Sequence, residues 1–291
     1  MPSLRHIRVR IRSIQSTKQI MRAMQLVSGS KLKRAQAKLQ QARTVLGFLD
    51  GLLQRVLAAT PGLDHPLCAK RDDVPSALVI FTSDAGLCGS YNTNLIQLAE
   101  SHLRRDSLKR TQIIYIGKKG YRYFTKRGYA AAESYVDLAG RPDLAKAEAI
   151  ARLLMERFLS GGVGSVQLLY SQFVSSALYR PATLQWLPIQ LNPGTQARRH
   201  AGTNVSVEYI FEPSPRRVFE DLLPRWTIAT FQLVMLEAFT SEHSARMIAM
   251  KNATDNAEEL LKAFTMQRNK IRQASITKEI SEIVGTAEAL K

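Results

Sequence analysis

The loop from Thr82 to Asn92 carries the residues whose types and spacing come closest to an active site. It follows a continuous apolar run, contains Gly86 and Gly89, and leads into a helical pattern. A phosphate-binding loop would lie at such a place. However, the loop is neither G-x-G-x-x-G nor a P-loop that ends in Gly-Lys-Ser/Thr. A tight turn between a strand and a helix explains both glycines, so a structural role is favoured over nucleotide binding.

Cys88, in the same loop, is a candidate nucleophile because a helix N-terminus lowers the pKa of a thiol. Covalent catalysis would also need a general base. The five histidines stand in no recognisable relation to Cys88: His6, His65, His102, His200 and His243. Since H-x-x-H, C-x-x-C and carboxylate clusters are also missing, we predict a packed cysteine, no catalytic residue, no metal and no cofactor.

The charge of the chain is concentrated at its N-terminus. Residues 1–60 hold twelve Lys and Arg and a single acid, Asp50, whereas residues 217–291 are neutral. This asymmetry indicates an anionic partner, which could be nucleic acid, an anionic membrane or an acidic protein surface. No aromatic Tyr or Trp lies among these bases, which argues against single-strand binding but leaves duplex binding open. The basic run is Arg5, Arg8, Arg10, Arg12, Lys18, Arg22, Lys31, Lys33, Arg34 and Lys38.

The sequence shows no pattern typical of secretion, membrane insertion or disulfide bonding. Cys68 and Cys88 form no disulfide framework, the N-terminus has no signal-peptide pattern, and no run of eighteen apolar residues occurs. We therefore expect a soluble intracellular chain in a reducing compartment.

The first sixty residues repeat in sevens without a proline from Ser3 to Thr60, which predicts a coiled-coil helix over residues 1–60. Three of the sixteen seam positions are polar: Lys18, Gln25 and Ser28. Either the register slips there onto Ile20, Met24 and Val27, or the stretch faces a more polar partner. The apolar seam is Leu4, Ile7, Ile11, Ile14, Met21, Leu32, Ala35, Leu39, Ala42, Leu46, Leu49, Leu53 and Val56.

The C-terminal segment 213–291 predicts a second helix, longer than the first by some twenty residues. Laid antiparallel against the first, it leaves residues 271–290 without a partner in the chain. Exposed apolar residues of this kind mark a binding surface. Between the helices, residues 61–212 alternate apolar strands with helices, which predicts an α/β domain with a largely parallel sheet. The expected strands lie at about 77–82, 112–117, 165–170 and 205–211, with a loop at 190–204. The predicted fold is therefore a long antiparallel coiled coil with an inserted Rossmann-like α/β domain.

Three blocks of the sequence together resemble the gamma subunits of F-type ATP synthases, and the resemblance covers the whole chain. The blocks are Ile14–Ala35, Thr82–Asn94 and Ala245–Asn256 with Arg272–Val284. The resemblance implies a non-catalytic rotor shaft. It would stand inside a ring of three alpha and three beta subunits and beside an epsilon subunit and a c-subunit ring.

The resemblance also implies roles for particular residues. Contacts with beta subunits are expected at Met24, Arg246, Arg272, Gln273 and Thr277, and an apolar bearing tip is expected at Ile276, Ile280, Ile283 and Val284. Contacts towards the c ring and epsilon are expected at Glu208, Tyr209 and Glu212. The missing transit-like leader favours a bacterial enzyme, peripheral to the cytoplasmic face of the plasma membrane. The coupled ion would be a proton or sodium. The alternative is a basic coiled-coil protein that binds nucleic acid.

Overall fold

The computed structural model describes residues 4–60, 62–71, 73–105, 111–138, 143–190 and 211–289. These residues form two compact units: one comprises the chain up to Gly29 and from Arg246 on, and the other comprises Ser30–Ala245. The sequence-based division at residues 60 and 212 stays a prediction. The elements in chain order are α1 (Leu4–Ala59), a 3-10 turn (Pro66–Cys68), β1 (Ser76–Phe81), α2 (Tyr91–Arg105), β2 (Thr111–Ile116), α3 (Lys118–Thr125), β3 (Ala131–Tyr135), α4 (Leu144–Leu159), β4 (Ser165–Ser175), β5 (Leu178–Leu187) and α5 (Pro215–Ala289).

Helix α1 follows the heptad pattern without a break. All sixteen seam positions, including Lys18, Gln25 and Ser28, are buried or half-buried. Ile20 and Val27 are instead 58% and 55% exposed. Of the two alternatives, the register slip is therefore contradicted at Ile20 and Val27, which face outward, while the polar residues keep their seam positions; Met24 is half-buried. At 56 residues, α1 is about 84 Å long.

Helix α5 begins two residues after the start of the predicted segment 213–291. Pro215 is its first residue, where a missing N–H removes no helical hydrogen bond. The Ser214 hydroxyl accepts a hydrogen bond from the Arg217 amide at 3.3 Å and so caps the first turn. The helix runs for 75 residues, or about 112 Å.

The sheet is mostly parallel, as predicted, in the order β3-β2-β1-β4-β5. Strand β1 pairs in parallel with β2 and with β4, and β3 pairs in parallel with β2. Strand β5 returns antiparallel to β4 as a hairpin that the sequence analysis missed. The predicted strand 205–211 and loop 190–204 lie outside the described residues except at their ends. Phe211 is described and is not part of a strand.

Burial of β1 on both faces explains its continuous apolar sequence. Alternate side chains point to opposite faces. Val79 and Phe81 join the core formed with α4 and with parts of α1 and α5. Leu78 and Ile80 pack under α2 and α3 on the other face. The α/β unit thus holds segments of both long helices within its own core.

Candidate functional site

The loop that follows β1 uses its polar groups to close on itself. The amide of Ser83 donates to Asn92 Oδ1 at 3.0 Å, and Asn92 Nδ2 donates to Ser83 Oγ at 2.8 Å. Asp84 Oδ1 accepts from the amides of Lys118 and Asp137 at 3.0 and 3.2 Å. The loop therefore ties β1 to α2 and to the start of α3, as the turn interpretation predicts.

Cys88 is packed rather than presented to solvent. It is 2% exposed and clusters with Tyr91, Leu95 and Ala245. Asn92 Nδ2 donates to its sulfur at 3.1 Å. These contacts favour the structural interpretation of this cysteine. In the ranges that the structure describes, no group of three His, Cys, Asp or Glu side chains is placed to hold a metal ion.

The unit formed by the start of α1 and the end of α5 is an antiparallel helix pair. Lys18 Nζ lies 2.9 Å from Glu258 Oε2, and the Arg10 guanidinium lies 5.2 Å from the centre of the Phe264 ring. The hydrogen bond and charge of Lys18 hold the pKa of Glu258 below its usual range. The polar seam position at Lys18 is thus matched by an acid of the same chain.

Beyond Ile271, α5 continues without cover from the described chain. Every described side chain from 272 to 287 is exposed, as the predicted overhang requires. The exposed apolar residues recur at intervals of three and four, so they share one face of the helix. This apolar stripe consists of Ile276 (48% exposed), Ile280 (56%), Ile283 (67%) and Val284 (56%).

The five residues expected to contact beta subunits fall into two groups along the helix pair. Lys18 lies opposite Glu258, and the two helices are antiparallel. Met24, six residues further along α1, therefore lies opposite about residue 252 of α5, which is within two helical turns of Arg246. Met24 is half-buried, and Arg246 is only 8% exposed. The second group, Arg272, Gln273 and Thr277, lies on the exposed end, about 39 Å further along the helix. The Thr277 hydroxyl donates to the Gln273 carbonyl at 3.0 Å.

Of the residues expected to face the c ring and epsilon, Glu208 and Tyr209 lie outside the described residues. Glu212 is described and exposed, three residues before α5 begins. None of these three placements tests the expected contact.

Sequence reasoning missed a polar joint inside the Ser30–Ala245 unit. Arg43 of α1 lies against Glu237 of α5 and against the backbone of β4. The two charged residues are 194 positions apart. Glu237 occurs among apolar neighbours in α5, but Arg43 does not in α1, so no signal in the sequence pointed to the pair.

Comparison with known proteins agrees with the resemblance. A family model described as ATP synthase matches residues 3–290. The ATP synthase gamma chain of Symbiobacterium thermophilum is 44% identical over 284 residues, covering 97% of this chain and 96% of that one. The gamma chain of Desulforamulus reducens is 42% identical, and the alignment covers 100% of both chains.

Solved structures show the same fold at lower identity. A chain from the rotor of the Euglena gracilis mitochondrial ATP synthase gives a TM-score of 0.61 at 19% identity, covering 94% of this chain and 98% of that one. A chain from the central stalk and c ring of the Tetrahymena thermophila enzyme gives 0.58 at 23% identity, covering 80% and 99%.

The family match over nearly the whole length and the identity to full-length relatives lead to one conclusion. The chain belongs to the ATP synthase family. Within that family, the relatives reported above are gamma chains. In the described part of the chain, no helix has a stretch long and apolar enough to cross a membrane.

Proposed function

We propose that this chain is the central-stalk rotor of an F-type ATP synthase. In this role it couples rotation of the membrane c ring to conformational change at catalytic sites on the beta subunits. The chain is a non-catalytic subunit of that enzyme. The observation that carries the proposal is the antiparallel helix pair, in which α5 extends beyond its partner as a single exposed helix with an apolar stripe.

The mechanism is a shift of populations. One asymmetric shaft contacts three identical beta subunits differently, so each subunit is biased towards a different conformation and nucleotide affinity. That bias is no larger than the difference in contact energy between the conformations. Rotation moves the contacts to the next subunit and so drives binding and release in sequence.

The single-helix end supplies two kinds of contact in this proposal. The apolar stripe of Ile276, Ile280, Ile283 and Val284 lies in an apolar sleeve at the top of the alpha and beta ring. Arg272, Gln273 and Thr277 precede or interrupt the stripe and contact polar loops of the beta subunits. Met24 and Arg246 contribute at a second level, about 39 Å lower on the helix pair. Since Arg246 is 8% exposed, it acts there mainly by positioning the neighbouring side chains that contact the beta subunit.

The basic N-terminal helix fits acidic loops of the beta subunits. Of the ten Lys and Arg residues between positions 5 and 38, all but Lys18 are exposed. A dense row of exposed positive charge favours an acidic partner and speeds its encounter.

The α/β domain would contact the epsilon subunit and the c ring, with Glu208, Tyr209 and Glu212 among the contacts. The complex would hold the chain at the cytoplasmic face of a bacterial plasma membrane, as a peripheral subunit. The bacterial origin of the reported gamma-chain relatives supports this placement. The coupled ion is a proton or sodium.

The test is reconstitution with alpha and beta subunits from the same source. We expect a particle of three alpha, three beta and one copy of this chain, with ATP hydrolysis far above that of alpha and beta alone. Particle mass and hydrolysis rate are measured together. If no such particle forms even at low salt, the rotor assignment is refuted.

Binding of nucleic acid is the alternative function. It would appear as tight, sequence-independent binding to duplex DNA that weakens steeply with salt. None of the matches reported above is a nucleic-acid-binding protein, so the rotor function is favoured. A filter-binding titration at two salt concentrations separates the two functions.

A further inference from the structure

The β4–β5 hairpin is joined to both long helices by polar contacts inside the Ser30–Ala245 unit. One nitrogen of Arg43, Nη2, donates to Glu237 Oε1 at 2.6 Å and to the Phe173 carbonyl at 2.9 Å. Arg43 lies on α1, Glu237 on α5 and Phe173 on β4. A single guanidinium therefore touches three elements that the chain folds together from distant segments.

Further hydrogen bonds surround this contact. Ser241 Oγ of α5 donates to the Ser171 carbonyl at 2.9 Å, and Gln36 Nε2 of α1 lies 3.0 Å from Ser176 Oγ. Next to Glu237 in sequence, the Ala238 carbonyl of α5 accepts from the Tyr91 hydroxyl of α2 at 3.0 Å. We call this set of contacts around Arg43 the hairpin joint.

The hairpin joint is buried at Glu237 and half-buried at Arg43, whose side chain is 38% exposed. Glu237 is 5% exposed and lies next to the core residues Leu236 and Ala238. Burial raises the pKa of Glu237, while the hydrogen bond and charge of Arg43 oppose that shift. Burial and then the charge of Glu237 raise the pKa of Tyr170 to about 12.

Stability alone does not explain an ion pair whose acid is buried and whose base is half-buried. Desolvation offsets most of the attraction between such charges, and well-packed apolar residues often stabilise a core as well or better. The ion pair instead fixes the relative position of the elements that it joins. Apolar contacts tolerate sliding because the hydrophobic effect is non-directional, whereas hydrogen bonds require fixed distances and angles.

We propose that Arg43 is a positioning residue for torque transfer. It holds the β4–β5 hairpin, α1 and α5 in one register, so that a force on the α/β unit turns both helices without slip. This inference rests on the proposed rotor function. Force passes from the sheet to α1 and α5 at the hairpin joint, and Arg43 prevents the two helices from shifting relative to the hairpin.

The experiment compares loaded and unloaded rotation in the reconstituted membrane enzyme. ATP hydrolysis without an ion gradient reports unloaded turnover, and ATP-driven ion pumping into vesicles reports work against a load. With Arg43→Met, we expect hydrolysis within about twofold of wild type and a pumping-to-hydrolysis ratio lower by at least about threefold. A residue that only stabilised the fold would change the yield of assembled enzyme but not this ratio.

Two further variants separate charge from geometry. Arg43→Met with Glu237→Gln removes the uncompensated buried charge, yet it should still lower the ratio because the directional contact is gone. Arg43→Lys should keep the ratio within about twofold, because one ammonium can donate to both acceptors that Arg43 Nη2 now serves. The matched control is Arg152→Met, which breaks an exposed ion pair between Arg152 and Glu148 within α4 and should leave the ratio unchanged.

Each outcome is decisive. An unchanged ratio in the double variant would refute the torque-transfer role. Failure of both Met variants to assemble, with Arg152→Met normal, would show that the pair serves folding and would also refute it. If the wild-type chain itself forms no enzyme with alpha and beta subunits, the rotor function fails instead, and the two failures are distinguishable.

Discussion

Gly117 connects β2 to α3 in a conformation and at a close approach that exclude a side chain. Its φ is 99°, and a Cβ at this position would lie 2.0 Å from the Thr82 carbonyl oxygen. Because a backbone atom blocks the space, we expect Gly117→Ala to destabilise the chain by at least about 3 kcal/mol. Chemical denaturation measures this change in the free energy of unfolding.

The matched control lies in the interior of α1. Gly47 has nothing within 4 Å of an added Cβ. Gly47→Ala should therefore stabilise the chain by about 0.5–1 kcal/mol through the helix propensity of alanine. Equal effects of the two substitutions would contradict this account of Gly117.

Cys88 offers a second test at the scale of a residue. Cys88→Ala removes a small packed side chain and its contact with Asn92, so we expect a loss of stability of about 1–2 kcal/mol. The hydrolysis rate of the assembled enzyme should stay the same, because the thiol takes no part in chemistry. If hydrolysis were lost while the fold and the assembly stayed intact, Cys88 would have to be considered a catalytic residue again.

Among the elements, the helices were the most predictable from sequence and the edge strands the least. The heptad pattern of α1 identified a seam that is buried or half-buried along its whole length, and even Ser28 there is only 3% exposed. Strands β3 and β5 lie at the two ends of the described strand order, where selection for a regular apolar pattern is weak. Their sequences show it: β3 contains Glu133 and Ser134, and β5 contains Arg180 and Pro181.

The hairpin joint was unpredictable for a different reason. Its contacts join residues that the chain brings together only after the sheet and helices have packed. No local spacing relates Arg43 to Glu237, and no periodic pattern distinguishes Glu237 from a solvent-facing acid of an amphipathic helix. Such long-range polar pairs follow from the tertiary fold and cannot be inferred from a single sequence.

The antiparallel helix pair leads to a prediction about pH. The folded-state pKa of Glu258 is lowered, first by Lys18 and then by Lys262 and Arg22. The ion pair therefore contributes stability above the ordinary carboxylate pKa and loses that contribution as the pH falls through the lowered value. Lys18→Met should raise the pKa of Glu258 and make unfolding less sensitive to acid in that range.

Carboxyl NMR titration of Glu258 and thermal unfolding at several pH values check this prediction. Salt should weaken the effect because the pair is partly exposed. The control is Lys278→Met, which breaks an exposed pair with Glu282 on the single-helix end and should leave Glu258 unaffected. An unchanged titration of Glu258 in Lys18→Met would contradict the pairing seen here.

On the scale of the whole molecule, the single-helix end separates function from folding. The described side chains from 272 to 287 are all exposed, so they add nothing to the core of either unit. Deleting residues 271–291 should leave the sheet intact, with a midpoint of thermal unfolding within about 3 °C of the full chain. In the reconstituted enzyme the same deletion should lower the pumping-to-hydrolysis ratio by at least about threefold, because the proposed bearing contacts are gone.

Point variants show whether the apolar stripe itself matters in that segment. Ile280→Asp with Ile283→Asp places charge on the stripe and should lower the ratio in the same direction, since burying an unpaired carboxylate in an apolar sleeve is unfavourable. Lys278→Ala changes the opposite face of the helix, where the side chain is 78% exposed, and should leave the ratio unchanged. If the deletion unfolds the sheet, the end of α5 is needed for the fold and not for coupling alone. If the sheet survives and the Asp variants pump as well as wild type, the stripe is not the bearing surface, and the shaft must be held by the polar groups at Arg272, Gln273 and Thr277.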